Sequence, residues 1–281
     1  MRLAIAAALL LVASACGNLE GPRTGSISPP TDVLTRWNDF PSDQVPRPIV
    51  LFETDWPGQS FNTGSNIAPL CGDFTLGFQL PSEKPGQSSV IWPGGASVGY
   101  PASSAAEAYM AMKGMSRTTG VICSARVPLT VTAAHLGIAT FATDRGKAQM
   151  SAWFFTATGV QADFAYPAIA TSSIWAGGLA QTSLASAASV SVDGRSLTFD
   201  FVGGPFDGQC AQSYRGVVAE SSHAVAIAVQ SSPGRVEAGP NACYSQTAIR
   251  SVTLQLGSAL GGRVVVDASG GVVAVSTPPA I

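Results

Sequence analysis

Short apolar runs broken by turn-forming residues dominate this sequence and restrict it to a fold built mainly from strands. Early runs lie at 48–52, 74–80 and 89–92, the first of them followed by Trp56-Pro57-Gly58 and the last by Pro93-Gly94. Residues 127–143 form the longest run, with Leu129, Val131 and Ala133 alternating against Thr130, Thr132 and Ala134. Polar Thr143-Asp144-Arg145-Gly146-Lys147 interrupts it and residues 150–158 resume, the pattern of a hairpin, with Gly137 the expected place for a bulge. Later runs at 197–202, 214–219, 224–229, 252–256, 264–266 and 272–275 are divided by Gly203-Gly204-Pro205, Glu220-Ser221-Ser222 and Ser269-Gly270-Gly271. That spacing suits an antiparallel sheet or sandwich, although weak alternation at 214–219 leaves a helix as the alternative there.

One helix is marked: Ser104 and Glu107 have capping-box spacing, Ala105, Ala108, Tyr109 and Met112 fall on one face, and Gly114 ends it. The expected fold is α+β and predominantly β. A mixed α/β first lobe over 48–175 carries the short helix, and a mostly antiparallel β second lobe covers 189–277. The stretch 175–188, rich in Ala, Ser, Thr and Gly, is the expected boundary between them.

The amino end sets the compartment. Met1-Arg2, an uncharged apolar run from 3 to 12, and Ala13-Ser14-Ala15 have the three parts of a secretory signal over 1–15. The run is too short for a stable span, which needs about 20 residues to cross roughly 30 Å of hydrocarbon. Cys16 follows the small residues directly, so residues 12–16 resemble the lipobox of bacterial lipoproteins, with Ala13 where that family usually has Leu. The resemblance implies a diacylglyceryl group on the Cys16 thiol, cleavage before it, and a protein held at the extracytoplasmic face of the cell membrane through that lipid. The alternative is a soluble secreted protein cut nearby. Residues 16–47, mixing Gly, Pro, Ser and Thr with scattered charges, are expected to be the lipidated cysteine and a flexible tether.

Of the five cysteines, Cys71, Cys123, Cys210 and Cys243 remain after Cys16. An even remainder in an exported chain reads as disulfides, and four cysteines allow three connectivities. Local pairing, Cys71 with Cys123 and Cys210 with Cys243, is the expectation. Removing residues 1–15 takes away Arg2 alone and moves the formal charge from -2 to -3. No basic cluster points to nucleic acid as a partner. No C-x-x-C pair or H-E-x-x-H spacing points to a metal, and no cofactor is expected.

A wider resemblance rests on Phe40-Pro41-Ser42-Asp43 with Arg47-Pro48-Ile49-Val50-Leu51, the Thr143-Asp144-Arg145-Gly146 turn followed by Ala152-Trp153, the segment 210–214 followed by Glu220-Ser221, and the closing Gly262-Arg263-Val264-Val265-Val266-Asp267. These stretches resemble uncharacterised actinobacterial envelope lipoproteins, from high-GC Gram-positive bacteria; twelve Arg against three Lys, with abundant Ala and Gly, fit such a genome. The resemblance implies a compartment and no chemistry.

Catalytic signals are sparse. Gly95-Ala96-Ser97-Val98-Gly99 matches the G-x-S-x-G pattern, which works when a strand runs straight into the serine and a helix leaves at once. Here Trp92-Pro93-Gly94 breaks the preceding strand and Pro101 delays the helix. Asp207 and His223 follow Ser97 in the right chain order, so a surface serine hydrolase is the alternative to a non-enzymatic envelope binding or accessory protein. His135 reads as a strand residue, Glu53 and Asp55 as a solvated pair, and Asp144-Arg145 as a turn pair. For binding, Trp56, Trp92, Tyr100 and Trp175 stand in loop-like settings, where aromatic side chains stack on sugars or anchor a protein partner. Their competing role is to close the ends of the core. The expected partners are the membrane, through the lipid anchor, and an envelope protein or cell-wall component.

Overall fold

A computed structural model describes residues 28–52, 73–114, 128–158, 163–175, 182–207, 211–233 and 247–276. Among the described residues the fold is predominantly β, with one short α-helix and two sheets, as the patterning predicts. The first sheet holds β1 (Phe74–Leu76), β2 (Gln87–Ile91), β3 (Ser97–Pro101), β4 (Leu129–Thr143), β5 (Gly146–Ala157) and β6 (Phe164–Pro167), in the order β1-β4-β5-β2-β3 with β6 paired to β5. β1 runs parallel to β4 and the other pairings are antiparallel. The β4–β5 hairpin is the one expected from the long Val/Thr run, turning at Asp144 and Arg145 between paired Thr143 and Gly146.

Its register shift falls between Val131 and Ala133, not at Gly137, which pairs regularly with Ala152. Glycine is needed at 137 for another reason. A Cβ there would stand 2.8 Å from the Phe154 ring. The ring instead stacks on His135, 5.2 Å away.

Helix α1 (Ala105–Gly114) starts with the predicted capping box. The Glu107 N–H donates to Ser104 Oγ (3.2 Å) and the Ser104 N–H donates to Glu107 Oε2 (2.9 Å), so two of the orphan donors at a helix start are satisfied. Ala105, Ala108, Tyr109 and Met112 are its buried face, packed into a core with Phe155, Phe164, Phe74 and Phe141. Tyr109 Oη donates to the Phe74 carbonyl (3.0 Å), which fixes the helix to the parallel edge of the sheet.

The second sheet holds β7 (Thr182–Val190), β8 (Ser196–Gly203), β9 (Gln212–Glu220), β10 (Ala224–Pro233), β11 (Ala248–Gln255), β12 (Val264–Asp267) and β13 (Val272–Ser276), in the order β11-β8-β7-β13-β12-β10-β9. Four of its pairings are antiparallel, while β7–β13 and β10–β12 are parallel. The sheet coils until its edge strands face each other: a Cβ on Gly216 of β9 would lie 2.6 Å from Leu254 and 3.1 Å from Val252 of β11. Leu197, Phe199, Val225, Ile227, Leu254, Val265 and Val273 fill the core this makes. Residues 214–219 form strand, not the alternative helix.

Two boundary expectations need correction. β7 begins at Thr182, inside the stretch read as a boundary, so the second unit starts earlier than 189. The residues from 28 onward are also not a tether: Asp32–Trp37 form a 3-10 helix, and Val33, Leu34, Trp37 and Phe40 are buried against Ala224, Ala226, Val264 and Val266 of the second sheet. Four large apolar side chains in ten residues bury too much surface to stay in water, at about 1.5–3 kcal/mol each.

The chain then passes between the sheets. Residues 49–52 are extended and alternate: Ile49 and Leu51 join the first core, while Val50 and Phe52 join the cluster against the second sheet. The segment is hydrogen-bonded on both sides, to Ser173 and Trp175 on one and to Ala142 and Asp144 on the other.

Candidate functional site

Charged and aromatic side chains converge where this bridging segment meets the β4–β5 turn. Gly146, at φ +88°, lets the turn close, and Thr143 Oγ1 braces it by donating to the Gly146 carbonyl (2.7 Å) and accepting from the Arg145 N–H (3.1 Å). This aims Asp144 inward, where its side chain is 2% exposed. Its carboxylate pairs with the Arg47 guanidinium and accepts from the Val50 N–H (3.2 Å). Its backbone is used as well: the N–H donates to the Val50 carbonyl (3.1 Å) and the carbonyl accepts from Val275 of β13 (2.9 Å). One residue of the first sheet thereby holds both the bridging strand and the second sheet.

Arg47 completes the clasp. It donates to the Gly262 carbonyl (3.0 Å) before β12, and its guanidinium carbon sits 5.1 Å from the centre of the Phe40 ring. Burial pulls its pKa below the ordinary arginine value, Asp144 pulls it back up, and nearby Arg145 lowers it. The Tyr100 hydroxyl donates to the Arg47 carbonyl (2.9 Å) and accepts from Arg145 (3.4 Å). The Arg145 guanidinium carbon lies over Trp92, 3.8 Å from the ring centroid, so one indole face is met by a cation from its own protein.

A second ion pair pins the neighbouring loop. Arg263, 7% exposed, binds Glu220 Oε2 (2.7 Å) and the carbonyls of Ser258, Ala259 and Leu260, while the Gly257 N–H donates to Glu220 Oε1 (2.7 Å). Partial burial pushes the Glu220 carboxyl up, but the bonds from Gly257 and Arg263 outweigh it and hold the pKa below the usual value. This arrangement places Gly262 so that a Cβ would fall 1.9 Å from the Ser42 carbonyl oxygen. Only glycine admits the Phe40–Arg47 segment at that point.

The predicted catalytic residues are not brought together. Ser97 is exposed at the start of β3, in a hairpin with β2 and not in a strand-to-helix elbow; its Oγ lies 2.7 Å from Ser89 Oγ. His223 lies in the β9–β10 turn of the other sheet, its Nδ1 3.5 Å from Ser42 Oγ, which donates to the Ser222 carbonyl (3.1 Å). Asp207 is exposed beyond β8, beside the opposite end of β9, where the Gln212 N–H donates to the Pro205 carbonyl. The nine residues of β9 separate it from the His223 turn, roughly 30 Å at about 3.4 Å per residue.

Three of the aromatic binding candidates fall among the described residues. Tyr100 is buried at 1% exposure, Trp92 packs on the first core beneath Arg145, and Trp175 stacks on Trp37 (6.2 Å) and meets Phe40 edge-on (5.2 Å). Tyr100 belongs to the first core, and Trp92 and Trp175 are half-buried against the clusters they touch. Trp56, Glu53, Asp55 and the five cysteines, Cys16, Cys71, Cys123, Cys210 and Cys243, lie outside the described residues. His135 is exposed, 3.9 Å from Asp163. Among the described residues no three His, Cys, Asp or Glu side chains gather as metal ligands, and no helix is long and apolar enough to cross a membrane.

Asp144-Arg145 forms the expected turn, but the inward-facing Asp144 carboxylate is also the centre of the clasp, a role the turn pattern does not show. The available signal was Arg47, a lone cation beside the strongly apolar run Ile49-Val50-Leu51-Phe52, which needs a buried counter-charge. Comparison with protein-family models, curated proteins and solved structures returns no match.

Proposed function

We propose that this chain is an envelope lipoprotein anchored through Cys16 at the extracytoplasmic face of the cell membrane, and that its folded part binds or supports an envelope protein or cell-wall component without catalysing a reaction. The address rests on the signal over 1–15 and on the cysteine that follows its small residues. The observation that carries the non-enzymatic part is the separation of Ser97, His223 and Asp207, because general-base chemistry requires partners within hydrogen-bond reach. The Arg47, Asp144 and Glu220 charges support it too, since each is engaged with groups of the same chain.

A purely structural envelope role, with no specific ligand, is the second reading. It draws support from the burial of Tyr100 and from the contacts that Trp92 and Trp175 make within the chain, with Arg145 over one ring and Trp37 against the other.

Export also accounts for the four remaining cysteines as two local disulfides. Cys71 precedes β1 and Cys123 precedes β4, and these strands are paired from Phe74 and Leu129 onward. Cys210 precedes β9 and Cys243 precedes β11, the two edge strands that face each other. Few residues separate each cysteine from its strand, so at about 3.3 Å per residue the chain can bring each pair together. Such bridges contribute roughly 3–4 kcal/mol each in the chain-entropy account.

The test is mass spectrometry of protein extracted from membranes and digested without reduction. The expected result is an amino-terminal peptide beginning at lipidated Cys16, with Cys71 linked to Cys123 and Cys210 to Cys243. An unlipidated amino terminus at another residue overturns the anchoring, and four free thiols overturn the pairing.

A further inference from the structure

We draw no further inference here: the strongest candidate, the edge of β4 over residues 132–140 beside the exposed Leu136 and Ile138, lies between the β1 pairing and the contact with Phe52, and nothing among the described residues shows what covers it.

Discussion

At the scale of single residues, Asp144 and Arg47 do more to define this molecule than any polar group on its surface. A buried ion pair gains little over an apolar pair of the same shape, but removing one partner strands the other charge away from water. Asp144→Ala is therefore expected to cost about 3–5 kcal/mol in a urea melt. Arg47→Met combined with Asp144→Ala should lose clearly less than the two single losses added together; additive losses within about 0.5 kcal/mol would show that the pair is not coupled.

Titratable groups set the working range from both sides. The Glu220 carboxyl is held below its usual value by Gly257 and Arg263, so its contribution is present above that usual value and is lost as pH falls through the folded one. Burial pushes the Tyr166 hydroxyl from its ordinary 10 to about 12, and burial raises Tyr109 as well. Both favour the folded state fully below pH 10, and that contribution drains away as the unfolded chain ionises between pH 10 and about 12. Melting temperature against pH should accordingly stay level through neutrality and fall at both ends. In an alkaline absorbance titration some tyrosine should ionise only as the fold is lost; ionisation of every tyrosine near pH 10 with the fold intact would contradict the burial of Tyr166.

At the scale of elements, the 3-10 helix Asp32–Trp37 and the extended residues 49–52 do the joining. Trp37 rests against Phe40 and Trp175, and the bridging strand presents alternate side chains to the two sheets. Trp37→Ala should destabilise by about 3–5 kcal/mol, as large-to-small changes at buried aromatic positions do. A tether residue would cost nothing, so an unchanged urea midpoint would restore the tether reading for this stretch.

These elements also mark what was legible beforehand. The β4–β5 hairpin could be read because its Val/Thr alternation is long and its polar interruption short, and α1 because the Ser104–Glu107 spacing has a specific hydrogen-bond meaning. The Pro, Ser and Asp content of residues 28–47 hides the spacing of Val33, Leu34, Trp37 and Phe40, whose burial depends on strands about 180 residues later and on Trp175. β7 misled because its Ala and Ser residues carry no alternation signal; between β8 and β13, neighbouring strands supply what its own side chains lack. The clasp was illegible because Arg47, Asp144, Gly262 and Val275 meet only through the tertiary fold.

At the scale of the whole molecule, the two sheets are not independent beads on a string. Asp144 of the first bonds to Val275 of the second, Arg47 reaches Gly262, and residues 49–52 lie between their cores. Residues 40–43 and 47–51, the turn over 143–146, Glu220 and Ser221, and residues 262–267 supply this junction. The proposal of an anchored envelope protein accordingly places its chemistry at the amino end, on Cys16, and gives the junction the task of holding the two sheets together. Two acyl chains suffice for durable attachment, since each buried CH₂ contributes about 0.8 kcal/mol and a single chain binds only reversibly. The most direct measurement is fractionation of cells expressing Cys16→Ser beside the unaltered chain. The expected result is that the unaltered protein sediments with membranes, while the variant is released or retains its signal uncleaved; processing and membrane attachment unchanged by the substitution would contradict the account.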